Sequence, residues 1–323
     1  MPIVILVTVF CCWMAIRWAV RQFESESVMF NEGGRWDMRS WLHHLWRDRQ
    51  DTAQPSVALL AGVLILVIKF FAQFFIRPDI SIVASMLIVQ VGMILLPCVI
   101  MAMLLTRSPR RALRIHRVQI NHMIAAVFIG FALHPTYVVL GDAITSVYPI
   151  APETVAALTK FQTNLFDQPL WMCLALLAVL PAICEELAYR GFIFGGLLRQ
   201  QGLLRAIIVS ALLFGFNHAV LQQSISASVM GLVLGFIAWR TGGVICTIIV
   251  HVINNSLSLT MSWCGNHKVE VPEWLNWIFQ TGTEGWTYNN SWHFTSIVLS
   301  IALMLILFQR NRRTLSNVVA EMA

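Results

Sequence analysis

Residues 170–198 read LWMCLALLAVLPAICEELAYRGFIFGGLL, from Leu170 to Leu198. The run exceeds the roughly 20 mostly apolar residues that a helix needs to cross a bilayer. Its centre, however, is charged: Glu185-Glu186-Leu187-Ala188-Tyr189-Arg190 holds two adjacent carboxylates and a guanidinium. A charge at the middle of a membrane helix costs about 2.5–3.5 kcal/mol on insertion scales, so such residues mark a functional site by default.

The rest of the chain agrees with a membrane setting. Of 323 residues, 58% are hydrophobic and 12% charged, and the mean hydropathy is +0.71. A soluble domain carries roughly 25% charged residues. The expected fold is all-α, a polytopic transmembrane helical bundle of about nine spans. These fall near 2–20, 56–76, 80–105, 119–141, 169–198, 205–222, 226–240, 243–263 and 294–309. Lys69 and Arg17 lie near enough to span ends to snorkel. The net charge of +6 does not argue for nucleic acid, because the arginines cluster beside membrane segments. The seven cysteines include no CxxC or Cys/His metal spacing and read as small apolar residues. No basic residue precedes Arg17, so a retained first span is expected rather than a cleaved signal.

Arg107, Arg110, Arg111, Arg114 and Arg117 place the loop 106–117 in the cytoplasm. Alternation then puts Arg199, Arg205, Arg240 and the tail with Arg310, Arg312 and Arg313 inside. The loops 142–168 and 264–293 fall outside, each with one lysine and no arginine. The expected topology is N-terminus outside and C-terminus cytoplasmic, in the plasma (inner) membrane if the chain is bacterial. Residues 36–48 read as a helix on the cytoplasmic surface. The segment 264–293, with Trp274, Trp277, Trp286 and Trp292, has aromatic-belt composition. Three regions follow: 1–164 with four spans and the surface helix, a core at 165–263, and 264–323 with the last span and a basic tail.

Spacing sets the depths of the polar groups. Glu185 lies 14 residues before Arg199, and His218 lies 13 after Arg205. At about 1.5 Å per residue, both sit roughly 20 Å from the cytoplasmic boundary. His251 and Asn255 lie 11 and 15 residues past Arg240 and bracket that level. Glu186 and Arg190 are i and i+4 in the favourable order for an ion pair, and a 3.6-residue helix turns Glu185 about 100° away, toward a cavity. Phe214 and His218 share a face in the same way, as do His251 and Asn255. By contrast, His122 and His134 read as helix–helix hydrogen-bonding residues. The GxxxG pairs Gly191/Gly195 and Gly231/Gly235 allow close packing.

A buried carboxylate can serve as general base, a histidine can help hold water, and an imidazole with an amide can bind an oxyanion. These parts suffice to hydrolyse a peptide bond. The rival assembly is a zinc site of Glu185, His218 and His251; Asn255 is a poor zinc ligand, which favours the metal-free version with no cofactor. HExxH and GxSG are absent, and Gly141-Asp142 matches only half of a GxGD motif.

Glu185-Glu186-x-x-x-Arg190, Phe214-x-x-x-His218 and His251-x-x-x-Asn255 resemble, in order, the EExxxR, FxxxH and HxxxN motifs of the CPBP intramembrane proteases, the CAAX-protease and bacteriocin-processing (Abi or Rce1-like) family. The resemblance covers about residues 165–263. It implies a helical membrane endopeptidase, glutamate- or metal-dependent, acting on a membrane-associated protein or peptide within the lipid bilayer. Glu185 and His218 would activate water, His251 and Asn255 would form the oxyanion hole, and Glu186, Arg190 and Phe214 would support them. A non-catalytic partner or immunity protein and a proton-coupled transporter are the other expectations.

Overall fold

The computed structural model describes residues 49–72, 74–75, 80–282 and 285–309, with residue 47 and short helical stretches between 8 and 17. The expected surface helix 36–48 (Arg47 apart), most of the span 2–20 and the basic tail lie outside the described residues.

The long apolar runs become helices that bury only one side. α1 is Pro55–Ala72 and α2 is Ile82–Leu105. The short α3, Pro109–Ala112, lies in the arginine-rich loop. α4 is Ile120–Val147 and α5 is Pro152–Phe166. α6 is Leu170–Gln201, α7 Leu203–Phe216, α8 Leu221–Thr241 and α9 Ile245–Asn266. A two-stranded hairpin, β1 Phe279–Gly282 and β2 Gly285–Tyr288, precedes α10, Asn290–Gln309. Six of these helices (α1, α2, α4, α6, α8 and α9) are long and apolar enough to cross a membrane, and only 28–50% of each such span is buried. The uncovered remainder carries Phe70, Phe128 and Phe131, and the shorter helices α7 and α10 likewise expose Leu212 and Ile301. A soluble protein rarely exposes so much contiguous apolar surface; lipid accounts for it.

Eight of the nine expected spans coincide with an apolar helix, with two instructive differences. α4 runs six residues past the expected end at 141, so Gly141-Asp142 lies inside it. The expected span 205–222 stops at Phe216. Asn217 N–H donates to the Phe214 carbonyl (3.2 Å) and His218 N–H to that of Gly215 (3.0 Å), which closes a turn. A 14-residue α7 is about 21 Å long, short of the roughly 30 Å hydrocarbon core. The chain therefore turns at 217–220 before α7 reaches the length of a membrane span.

Packing joins the two halves of the sequence. The main core cluster runs from Ala53 to Ala238 and includes Ile65, Ile94, Phe192, Phe194 and Leu213. α7 and α8 form a hairpin at close range: a Cβ on Gly231 would stand 2.9 Å from the Ala211 Cα. A Cβ on Gly191 would stand 2.6 Å from the Leu113 carbonyl oxygen, so α6 presses directly on the arginine-rich loop.

That loop is anchored at one end of the bundle. Arg111 pairs with Asp51 (3.3 Å), and Arg107 N–H donates to the Gln50 carbonyl (2.9 Å). Arg114 Nη2 donates to the Ala238 carbonyl (2.9 Å); burial pushes its guanidinium down to about 10, so it is charged at neutral pH. Residues 50–52, 106–116 and 238–244 thus gather together. Elsewhere, fully buried His134 on α4 ties two elements together, with Nδ1 at 2.7 Å from the Tyr288 hydroxyl and Nε2 at 2.7 Å from Ser258 Oγ. This is the helix–helix role expected of it.

Candidate active site

Prolines and wide turns shape the helices that carry the site. Pro97 and Pro181 each lack an N–H and crowd the carbonyl four residues earlier. π-helical stretches at Ile88–Leu95 and Ala175–Val179 lie immediately ahead of them and absorb the crowding. Pro181 deprives the Leu177 carbonyl of its i+4 donor. The Asn255 Nδ2 of α9 donates to that oxygen at 3.4 Å. A third π stretch, Glu186–Ile193, has no proline behind it and holds the charged motif itself. The 3.6-residue phase argument therefore does not describe this segment, because the helix widens where Glu185 hands over to Glu186.

The ion pair forms despite the wider turn. Arg190 Nη1 lies 2.8 Å from Glu186 Oε1, and both side chains are fully buried. The guanidinium also sits 4.1 Å from the Phe214 ring centroid, a cation–π contact. Phe214 in turn meets both imidazoles edge to face, His218 at 5.3 Å and His251 at 5.9 Å. One aromatic ring thus spaces the guanidinium and the two histidines.

His251 stands between the glutamates. Its Nδ1 is 2.9 Å from Glu186 Oε1, and its Nε2 is 3.9 Å from Glu185 Oε2. Glu186 is therefore engaged by Arg190 and His251 together. Glu185, only 5% exposed, accepts a hydrogen bond at Oε1 from Gln90 Nε2 of α2 (3.2 Å). An ionised carboxylate accepts only, so Nδ1 of His251 donates to Glu186, and Nε2 carries a proton only in the imidazolium form. The second histidine has the same arrangement. His218 Nδ1 lies 3.2 Å from the Phe214 carbonyl, which can only accept, so its Nε2 is the lone-pair nitrogen.

Two contributors come from outside the three motifs, and sequence reasoning missed both. Gln90 is one. The other is Lys69, expected to snorkel toward the helix end. Its Nζ instead donates to the Asn217 carbonyl at 2.6 Å, beside His218, and it interacts electrostatically with Glu185. The site then holds two carboxylates, a guanidinium and an ammonium, and its formal charges balance. A long polar side chain well inside each of two apolar runs was the available signal.

A metal was the other assembly to weigh. Among the described residues, no three His, Cys, Asp or Glu side chains stand close enough to hold an ion.

Comparison with known proteins agrees with the motifs. Residues 167–257 match the family described as type II CAAX prenyl endopeptidase Rce1-like. The resemblance read from EExxxR, FxxxH and HxxxN is thereby borne out, and this segment is an Rce1-like domain within a multi-helix membrane bundle. Among curated proteins, "Putative membrane peptidase YdiL" of Bacillus subtilis (strain 168) is 29% identical over 84 residues, covering 26% of this chain and 34% of that protein. The chain thus spans about a third of the length of the curated relative it matches. No solved structure matches it. Gln90 and Lys69 lie outside the matched segment.

Proposed function

We propose that this protein is an intramembrane endopeptidase that cleaves a membrane-associated protein or peptide. The observation that carries the proposal is His251, held by Glu186 and Arg190 on one edge and facing Glu185 with the other, inside a segment that matches prenyl endopeptidases.

The residues divide the reaction among them. Water is held between Glu185 and His218 Nε2. Glu185 takes its proton as the oxygen attacks the scissile carbonyl carbon, forming the C–O bond. The oxyanion receives hydrogen bonds from Asn255 Nδ2 and from His251 Nε2 in its imidazolium form, which Glu186 stabilises. Collapse breaks the C–N bond, and Glu185 returns the proton to the departing amine. Arg190 keeps Glu186 ionised and so fixes the His251 ring. No step passes through a metal.

Substrate-trapping proteomics tests this reading. Membranes carrying Glu185→Gln should retain a protein that membranes carrying the wild-type enzyme convert to fragments. The absence of any fragment pair that depends on Glu185 would refute the proposal. Loss of cleavage on chelation, restored by zinc, would support the metal-dependent version instead. A transporter is disfavoured because the polar groups converge on one site rather than lining paired broken helices in two halves.

A further inference from the structure

We propose that Gln90, on the membrane helix α2 and outside the Rce1-like segment, is the positioning residue for Glu185. The inference rests on the reading of Glu185 as general base and adds a residue to it.

Gln90 is a polar side chain in an apolar helix, 9% exposed. It lies in the π-helical turn Ile88–Leu95 ahead of Pro97. Its Nε2 donates to Glu185 Oε1 at 3.2 Å, across 95 residues of sequence. With Oε1 held, Oε2 is the oxygen left toward His251 Nε2. The hydrogen bond therefore selects which oxygen of the base faces the chemistry.

An amide suits a base for a second reason. During a turnover Glu185 alternates between carboxylate and carboxylic acid. The Gln90 NH2 group donates to the first, and its carbonyl oxygen, which is buried and has no hydrogen-bond partner, accepts from the second after a rotation of the amide. A lysine or arginine in that place would serve the ionised form alone. The other groups around Glu185 are less adaptable or more distant. Lys69 on α1, Tyr137 on α4, Cys184, Tyr189 and Arg190 on α6 and His218 after α7 interact with it electrostatically. His251 on α9 stands at 3.9 Å, and Glu186 follows it in sequence.

N,N′-Dicyclohexylcarbodiimide, which reacts with protonated membrane carboxyls, provides the test. Full-length protein in membranes is labelled across pH 5–9, and the adduct on Glu185 is quantified by mass spectrometry, with Glu185→Gln as the blank. Gln90→Met keeps the side-chain volume and removes the donor. A hydrogen bond to a charged group contributes about 1.5–3 kcal/mol, so the midpoint of labelling should rise by about one to two pH units. Gln90→Glu, which sets a second acid beside the first, should raise it further. Unmoved midpoints in both variants, or a higher labelling plateau with an unmoved midpoint, would overturn the proposal. The acidic limb of cleavage of the trapped substrate should move with the midpoint; a limb that stays put would remove the catalytic role. Labelling reads the carboxyl rather than turnover. If Glu185→Gln cleaves normally, the base reading therefore fails separately.

Discussion

Replacing Arg190 with methionine should destabilise the protein severely at pH 7 and mildly at pH 5. Arg190 and Glu186 are fully buried and 2.8 Å apart, with the guanidinium over Phe214. Removing one member of such a pair typically costs about 3–5 kcal/mol, because the other charge is left unpaired. The bundle has an escape, which is to bind a proton at Glu186 or on His251, 2.9 Å from it. For a carboxyl with a reference value near 4.3, binding that proton costs about 3.7 kcal/mol at pH 7 and about 1 kcal/mol at pH 5. Protonation thus sets a ceiling on the charge penalty that falls as the pH falls. The sign is that of a group for which folding of the variant favours the protonated form: the deficit is small near the reference value and grows as pH rises. Reversible unfolding in mixed micelles at both pH values, wild type against Arg190→Met, measures the difference. The double variant Arg190→Met with Glu186→Gln should recover most of the loss, since removing both charges leaves none unpaired. A pH-independent deficit, or a double variant worse than the single one by the full cost of a second mutation, would refute the reasoning.

Other outcomes follow from the same geometry. Lys69→Met leaves the Asn217 carbonyl at the end of α7 without its donor and should cost about 1.5–3 kcal/mol, with weaker cleavage than Lys69→Arg; equal stability of Lys69→Met and wild type would show that the bond holds nothing. Gly231→Leu forces side-chain atoms against the Ala211 backbone and should destabilise the α7–α8 hairpin by at least about 1–3 kcal/mol, measured by the shift in thermal unfolding. Single cysteines placed in 106–117 and in 264–293 should react with an impermeant thiol reagent from opposite sides of the membrane; labelling of both from one side would contradict the arginine alternation.

The sequence made the charged motif and its level legible because charge in an apolar run is costly wherever it occurs. Arginines at helix ends then served as depth marks for Glu185, His218, His251 and Asn255. Features that depend on tertiary neighbours were not legible. Asn217-His218-Ala219-Val220 contains no glycine or proline, so the helix read as continuous through the turn that presents His218. The wide turn at Glu186–Ile193 has no proline behind it, and a 3.6-residue period hid it. Lys69 and Gln90 each lie in an apolar span, where a snorkelling or packing role accounts for such a residue. The hairpin at 279–288 did carry Gly282 and Gly285, but the tryptophans around it drew the reading toward an interfacial segment.

The account stands most directly on one rate. Wild type and Glu185→Gln, matched for amount and thermal stability in the same membranes, are compared for cleavage of the trapped protein. Loss of the general base should slow cleavage by at least about a hundredfold, with both proteins equally folded. Cleavage by Glu185→Gln at the wild-type rate would contradict the central claim.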